Sequence, residues 1–159
     1  MMIVKWSKIH YAIFSVSSTA NLDTTVAFHA FNTVNPVRTA AKGTIILNHV
    51  ATNIGNAYEP MTGMFTVPVT GLYEFQASIM SAQVGVFQRG AIYVDNDRVA
   101  ISVSDSSHGQ WAQATMKSIL HVHAGQKVYL KNIEASVKEF FSFLAEPYTT
   151  FSGLLIRAD

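Results

Sequence analysis

Residues 58–75, which read YEPMTGMFTVPVTGLYEF, decide the fold of this chain. Two proline–glycine pairs in this stretch, Pro60 with Gly63 and Pro68 with Gly71, predict turns. Proline presets one backbone angle, and glycine tolerates the positive φ that most residues resist. Short apolar segments lie between and after these turns. The stretch therefore predicts closely spaced β-strands joined by tight connections.

The strand that follows the second turn, over residues 72–82, alternates between apolar and polar side chains. One face carries Tyr73, Phe75, Ala77 and Ile79, and the other carries Glu74, Gln76 and Ser78. A period of two residues indicates a half-buried β-strand rather than a helix. We therefore expect the first of these faces to lie in the core.

Further short strands are predicted along the chain, with turn signals between them. The predicted spans are 26–31, 44–50, 64–67, 88–94, 98–103, 114–122, 127–133 and 150–156. The sequence Asp95-Asn96-Asp97 favours a hairpin turn between two of them. About nine or ten short strands without crossover helices predict an antiparallel sandwich or jelly roll.

The apolar segment 137–147 follows a different pattern. Val137, Phe140, Phe141 and Leu144 are spaced as on one face of a helix, although Phe143 interrupts the opposite, polar face. One interpretation is a short helical turn. The preferred interpretation is an apolar loop that covers the sandwich or a neighbouring chain.

Composition favours one domain that associates with other copies of itself. The chain has 159 residues, of which 49% are hydrophobic and only 13% are charged. Because charged side chains are scarce, we expect part of the outer surface to be buried between copies. A merely polar surface, rich in Ser, Thr, Asn and Gln, is the alternative.

Several classes of protein are excluded or disfavoured by the same composition. A net charge of +1 without a basic run does not favour electrostatic binding to nucleic acid or to an anionic membrane. No stretch reaches the roughly 18 apolar residues of a membrane span. The absence of cysteine excludes disulfides and thiolate metal sites.

The N-terminal residues 1–25 have two equally weighted interpretations. Lys5 and Lys8 precede the apolar run 9–16, and small residues follow it. This order is typical of a secretory signal peptide. The run is short and contains His10, so an extra strand or N-terminal arm is the alternative. The jelly-roll domain is expected over residues 26–159.

Five segments in order resemble the C1q globular-head domain, a relative of the tumour necrosis factor fold. They are AFHA at 27–30, NIG at 53–55, the opening stretch 58–75, GQKVYL at 125–130 and FSGLL at 151–155. The resemblance covers about residues 26–157. The positions that match the family's structural pattern are Phe28, Tyr58, Gly63, Phe65, Gly71, Tyr73, Phe75, Phe151, Gly153 and Leu155.

The resemblance implies an all-β, ten-stranded antiparallel jelly-roll sandwich of the C1q/TNF-like type. It also implies a secreted, extracellular homotrimer whose aromatic motif residues lie in the core and whose glycines allow close packing. Three positions depart from the family pattern: Gln126 replaces the usual Asp, Asn96-Asp97 replaces Asn-Gly, and His29 replaces Ser or Thr. No collagen repeat is present, which limits the expected valency to one trimer.

Two histidines are candidate metal ligands. His121 and His123 lie two apart on a predicted strand, so both point to one face. Because the sequence offers no third ligand nearby, histidines that face solvent or an interface without metal are the favoured interpretation. Related heads sometimes bind calcium, but the scattered acidic residues here locate no calcium site. No cofactor is therefore expected.

The segment 104–111, SDSSHGQW, is the best candidate for ligand binding. Asp105, His108 and Trp111 combine hydrogen-bonding groups with a large aromatic ring, which suits the recognition of sugars or proteins. Arg98, beside the predicted hairpin turn, is a further candidate for a charged contact. For the segment, the alternative is an ordinary polar loop anchored in the core by Trp111. For Arg98, the alternative is a side chain that only solvates the turn.

No catalytic pattern is present. The chain has no Cys nucleophile, no Gly-x-Ser-x-Gly elbow and no phosphate-binding glycine loop. The resemblance therefore implies a non-enzymatic, pattern-recognition or lectin-like protein of innate immunity that binds carbohydrate or microbial surfaces through its loops. The alternatives are a secreted TNF-like signalling or adhesive ligand that binds a protein receptor at the trimer clefts, and a structural coat or matrix protein.

Overall fold

The computed structural model of the chain describes residues 25–159. The expectation of a signal peptide or N-terminal arm therefore lies outside the described residues. Within them no helix is found, and the secondary structure consists of strands alone. The strands are β1 (Ala27–Phe31), β2 (Val37–Thr39), β3 (His49–Ile54), β4 (Tyr58–Glu59), β5 (Met64–Thr66), β6 (Gly71–Met80), β7 (Phe87–Val94), β8 (Asp97–Asp105), β9 (Gln113–Val122), β10 (Lys127–Asn132), β11 (Lys138–Phe140) and β12 (Thr150–Ala158).

The strands form two five-stranded sheets and a two-stranded ribbon. The order is β3-β1-β12-β6-β9 in the first sheet and β4-β5-β10-β7-β8 in the second, and β2 pairs with β11 in the ribbon. Every one of these pairs is antiparallel. The predicted all-β jelly roll is confirmed. The predicted count of ten strands is not, because the ribbon brings the described strands to twelve.

The core lies between the two sheets and is rich in aromatic rings. As predicted, Tyr73, Phe75, Ala77 and Ile79 of β6 are fully buried. The Phe28 ring stacks on Tyr58 and Phe65 at centroid distances of 4.9 and 4.8 Å. The Tyr58 hydroxyl donates a hydrogen bond to the carbonyl of Leu47 at 3.1 Å, and burial raises the pKa of Tyr58 above its ordinary value.

Two glycines of the family pattern occupy positions where a side chain does not fit. A Cβ atom at Gly153 would lie 2.6 Å from a ring carbon of Phe75 and 2.7 Å from one of Phe28. A Cβ atom at Gly71 would overlap the carbonyl oxygen of Arg157. Gly63 has a positive φ of 71°, as the turn chemistry predicted. Close packing and turn geometry thus explain these positions physically.

One predicted strand is displaced. The sequence pattern predicts a strand over 44–50, but the strand at this place is β3, His49–Ile54. Residue Thr44 makes an isolated bridge with Lys131, and the segment that follows buries Ile45 and Leu47 without forming a ladder. Alternating burial in an extended segment therefore produced a strand pattern without strand pairing.

The alternative of a helical turn within 137–147 is wrong. Residues Lys138–Phe140 form β11, which pairs with β2, and the fully buried Phe140 joins the core. Residues 141–149 form a loop. The apparent helical spacing arises because a short strand and a following loop each bury some of their aromatic residues.

Candidate ligand-binding site

Three loops meet at one end of the sandwich. They are the β6–β7 loop, 81–86, the β8–β9 loop, 106–112, and the β11–β12 loop, 141–149. Strand register places the first two together, because Met80 pairs with Gln113 and Phe87 pairs with Asp105, and the pairing of β12 with β6 brings the third beside them. We call the surface formed by these loops the loop end.

Buried serines fix the base of the loop end. The Ser104 hydroxyl donates to the carbonyl of Ala112 at 2.7 Å and accepts the backbone N–H of Ser81 at 3.2 Å. The Ser106 hydroxyl lies 2.9 Å from the carbonyl of Gln83 and 2.8 Å from that of Val86. These bonds join two of the three loops. The surface above them is therefore held in place before any ligand arrives.

An aromatic cluster projects from this base. The Phe141 ring lies 5.4 Å from Trp111, 5.3 Å from Phe143 and 5.4 Å from Tyr148. Trp111 is 53% exposed, so the interpretation of this residue as a core anchor is wrong. The side-chain amide of Gln113 donates to the Tyr148 carbonyl at 2.8 Å and ties the two loops together. We call these four rings the aromatic platform.

The other predicted residues of this loop bond to one another. The Asp105 carboxylate accepts hydrogen bonds from the hydroxyl and from the backbone N–H of Ser107, the latter at 3.0 Å. The two bonds, hydroxyl first, hold the pKa of Asp105 below its ordinary value. The Ser107 hydroxyl also lies 3.3 Å from Nδ1 of His108. Asp105 is thus engaged in shaping the loop, whereas the His108 ring is exposed at its edge.

The order of these three groups is not that of a catalytic triad. In a triad the imidazole lies between the carboxylate and the nucleophilic hydroxyl, so that it can take the hydroxyl proton. Here the Ser107 hydroxyl lies between Asp105 and His108. The group therefore has no base oriented by a carboxylate.

Arg98 does not join this site. It lies at the start of β8, whereas Asp105 ends the same strand. Seven steps along the strand, at about 3.3 Å each, separate the two positions by roughly 23 Å. Arg98 thus flanks the Asp95-Asn96 hairpin turn, which the structure forms as predicted, with Asp95 at a φ of 52°.

The two histidines that are candidate metal ligands lie at that opposite end as well. Their rings are 5.3 Å apart, and His121 Nε2 lies 3.0 Å from both carboxylate oxygens of Asp159. Within residues 25–159 no group of three or more His, Cys, Asp or Glu side chains is placed to hold a metal ion. The sequence did not anticipate the contact with Asp159.

The order of the core motifs and the jelly-roll topology agree with a sequence comparison. The profile of the C1q domain matches residues 27–156. The chain belongs to the C1q domain family. Its C1q domain is 31% identical over 137 residues to a human complement C1q subcomponent, a match that covers 84% of this chain and 51% of the relative. It is 30% identical over 135 residues to human multimerin-1, covering 82% of this chain and 10% of the relative.

The chain thus spans about half of the complement C1q relative and a tenth of multimerin-1. Among solved structures, the globular domain of zebrafish complement 1qA is similar with a TM-score of 0.70 at 18% identity, covering 84% of this chain and 99% of that domain. At that identity the likeness shows the fold alone. C1q domains as a family form trimers and bind ligands, and nothing in this one indicates catalysis.

Sequence reasoning missed most of the aromatic platform of this C1q domain. Phe141, Phe143 and Tyr148 come from a segment more than 25 residues beyond Trp111, and their local spacing indicated only a helix or loop. The signal that could have found them was the concentration of aromatic residues within 140–148. As for membranes, residues 25–159 contain no helix long and apolar enough to cross one.

Proposed function

We propose that the chain is a secreted, trimeric, non-enzymatic recognition protein that binds glycans on microbial surfaces through its loop end. The observation that carries this proposal is the aromatic platform, with Trp111 half exposed at its edge. A flat aromatic ring offers an apolar face to the C–H face of a sugar, while neighbouring polar groups meet its hydroxyls. Exposed polar residues in the same loops are His108, Gln110 and Glu146.

The rigidity of the loop end supports the same proposal. Binding costs less when the contacting groups are already ordered. The buried hydroxyls of Ser104 and Ser106 order the β8–β9 loop, and Gln113 ties it to the aromatic segment. Because a C1q-type trimer presents three copies of this surface, weak sites would gain by avidity on a repetitive surface.

Replacing Trp111 with alanine should weaken glycan binding by about tenfold or more, the size of effect that a central tryptophan has in many interfaces. The measurement is a glycan and lipopolysaccharide array followed by titration of the strongest hit. Tyr93→Ala serves as the matched control, because Tyr93 stacks on Tyr129 on the second sheet, away from the loop end. An array with no glycan above background would reject the proposal, as would equal loss in both variants.

A second candidate function is the binding of a protein receptor. A groove of about 700 Å³ beside the β1–β2 connection favours it. Its exposed apolar lining includes Val34, Ile46 and Met61, with Arg38 at the side. Saturable binding to one cell-surface protein, unchanged by removal of glycans and lost in Met61→Asp, would support this candidate over the first.

A further inference from the structure

A small polar cavity lies where the β2–β11 ribbon meets the β6–β7 loop and the start of β7. Its volume is about 210 Å³. The polar lining residues are Arg38, Gln83, Gln88, Lys138 and Glu139. Gln83 also belongs to one of the three loops of the loop end, so the cavity adjoins that surface.

One buried group in this lining lacks a partner. Gln88 is 1% exposed, and its side-chain Nε2 makes no hydrogen bond with any described residue. Leaving a buried amide N–H unpaired is unfavourable, and most buried polar groups in proteins are paired. An acceptor atom bound in the cavity would supply the missing partner.

The guanidinium of Arg38 is a second group in the lining without a partner among residues 25–159. Arg38 lies directly opposite Glu139 across the ribbon, but the pair forms no salt bridge. The Glu139 carboxylate instead accepts a hydrogen bond from the Gln83 amide at 2.9 Å. Within residues 25–159 the Arg38 side chain makes no hydrogen bond.

The charges of the lining favour an anion with further hydrogen-bonding groups. Lys138 donates to the carbonyl of Phe87 at 2.8 Å and keeps other donor positions. Two cations and one carboxylate leave a net positive charge, which suits one negative group. The carboxylate of Glu139 and the amide of Gln83 can accept hydrogen bonds from hydroxyls.

We propose that this cavity binds an acidic sugar residue, its carboxylate on Arg38 and Lys138 and its hydroxyls against Gln83, Gln88 and Glu139. The volume is below the roughly 300–1,000 Å³ of pockets for drug-sized ligands, which limits the occupant to about one sugar ring. Arginine binds a carboxylate through two parallel hydrogen bonds, a geometry that lysine alone does not provide. The proposal rests on the glycan recognition proposed above and names the class of sugar.

The test follows the side-chain amide signals of Gln88 by NMR in ¹⁵N-labelled protein during titration with three probes. The probes are glucuronate, glucose and acetate, which present the carboxylate with the ring, the ring alone and the carboxylate alone. We expect glucuronate to shift the Gln88 signals and to bind at least tenfold more tightly than glucose or acetate. Equal binding of acetate would overturn the assignment to a sugar, and unshifted Gln88 signals would overturn the site.

Two variants should change this affinity in opposite directions. Arg38→Gln should weaken glucuronate binding by about tenfold, since it removes the charge-assisted pair. Glu139→Gln should strengthen it by roughly two- to fivefold, since it removes a competing charge and keeps a group that can bond to Gln83. Arg98→Gln, at the other end of the molecule, should leave the affinity unchanged. Damage to the fold would weaken binding in every variant, so an increase in Glu139→Gln separates binding from folding.

Failure of this inference and failure of the proposed function are distinguishable. Trp111-dependent binding of neutral glycans, without any effect of glucuronate on Gln88, would overturn the cavity proposal alone. Arg38-dependent binding of glucuronate, with no glycan-coated surface bound, would support the cavity and overturn the proposed role of the loop end.

Discussion

Replacing Gly153 with alanine is expected to lower the free energy of unfolding by about 3 kcal/mol, the upper end of the usual cost of overpacking a core. The new methyl group would lie 2.6 Å from Phe75 and 2.7 Å from Phe28, both fully packed aromatic rings. The Phe28 ring cannot move aside easily, because it also stacks on Tyr58 and Phe65. Urea unfolding followed by circular dichroism, at one fixed protein concentration, measures the effect.

Gly125→Ala is the control that separates crowding from backbone strain. Gly125 has a φ of 90°, and a Cβ atom there would meet no atom within 4 Å. Its substitution should cost only about 1–2 kcal/mol, the penalty of a left-handed conformation. The double variant Gly153→Ala/Phe75→Leu should be less destabilised than the sum of the two single variants, because the smaller leucine side chain makes room for the new methyl group. Strict additivity would contradict the crowding explanation.

Most strands of the two sheets could be predicted because their signal is local. In β6 the two-residue period and the preceding turn are enough to assign both faces. Gly153 was predicted to pack closely, although its partners Phe28 and Phe75 lie far away in sequence. The ribbon was not predicted, because β2 and β11 have three residues each and are separated by about a hundred residues. Such short strands exist only through their pairing.

The candidate site was predictable in part for the same physical reason. Trp111 was identified from its loop, but the rings that surround it come from a segment that the fold brings close. Arg98 was proposed as a further contact from its place beside the hairpin turn, and it lies at the other end of β8 from that loop. The sequence did not indicate that Gln88 is buried, because a single amide within a predicted strand is typical of an ordinary outward-facing residue.

The outer face of the first sheet is the surface on which self-association is expected. One row of paired positions crosses all five strands: Ile54, Ala27, Leu154, Glu74 and Ile119. The three larger aliphatic side chains of this row are 50%, 45% and 56% exposed. Glu74 is paired with Lys117 at 2.8 Å, and burial lowers the pKa of the neighbouring His29, which favours its neutral form. This row is therefore largely apolar and its one carboxylate is paired, which favours its burial between copies.

Replacing Leu154 with glutamate should dissociate the proposed trimer. Leu154 lies on the central strand β12 directly opposite Glu74, so the new carboxylate would be buried between copies beside an existing negative charge. Light scattering at micromolar concentration should then give a mass near 17.4 kDa in place of about three times that value. Ile101→Glu is the matched control, because Ile101 is a similarly exposed aliphatic residue on an edge strand of the second sheet. If the control dissociates and Leu154→Glu does not, the copies associate through the second sheet. The reason is that an introduced charge disrupts only an interface that buries it.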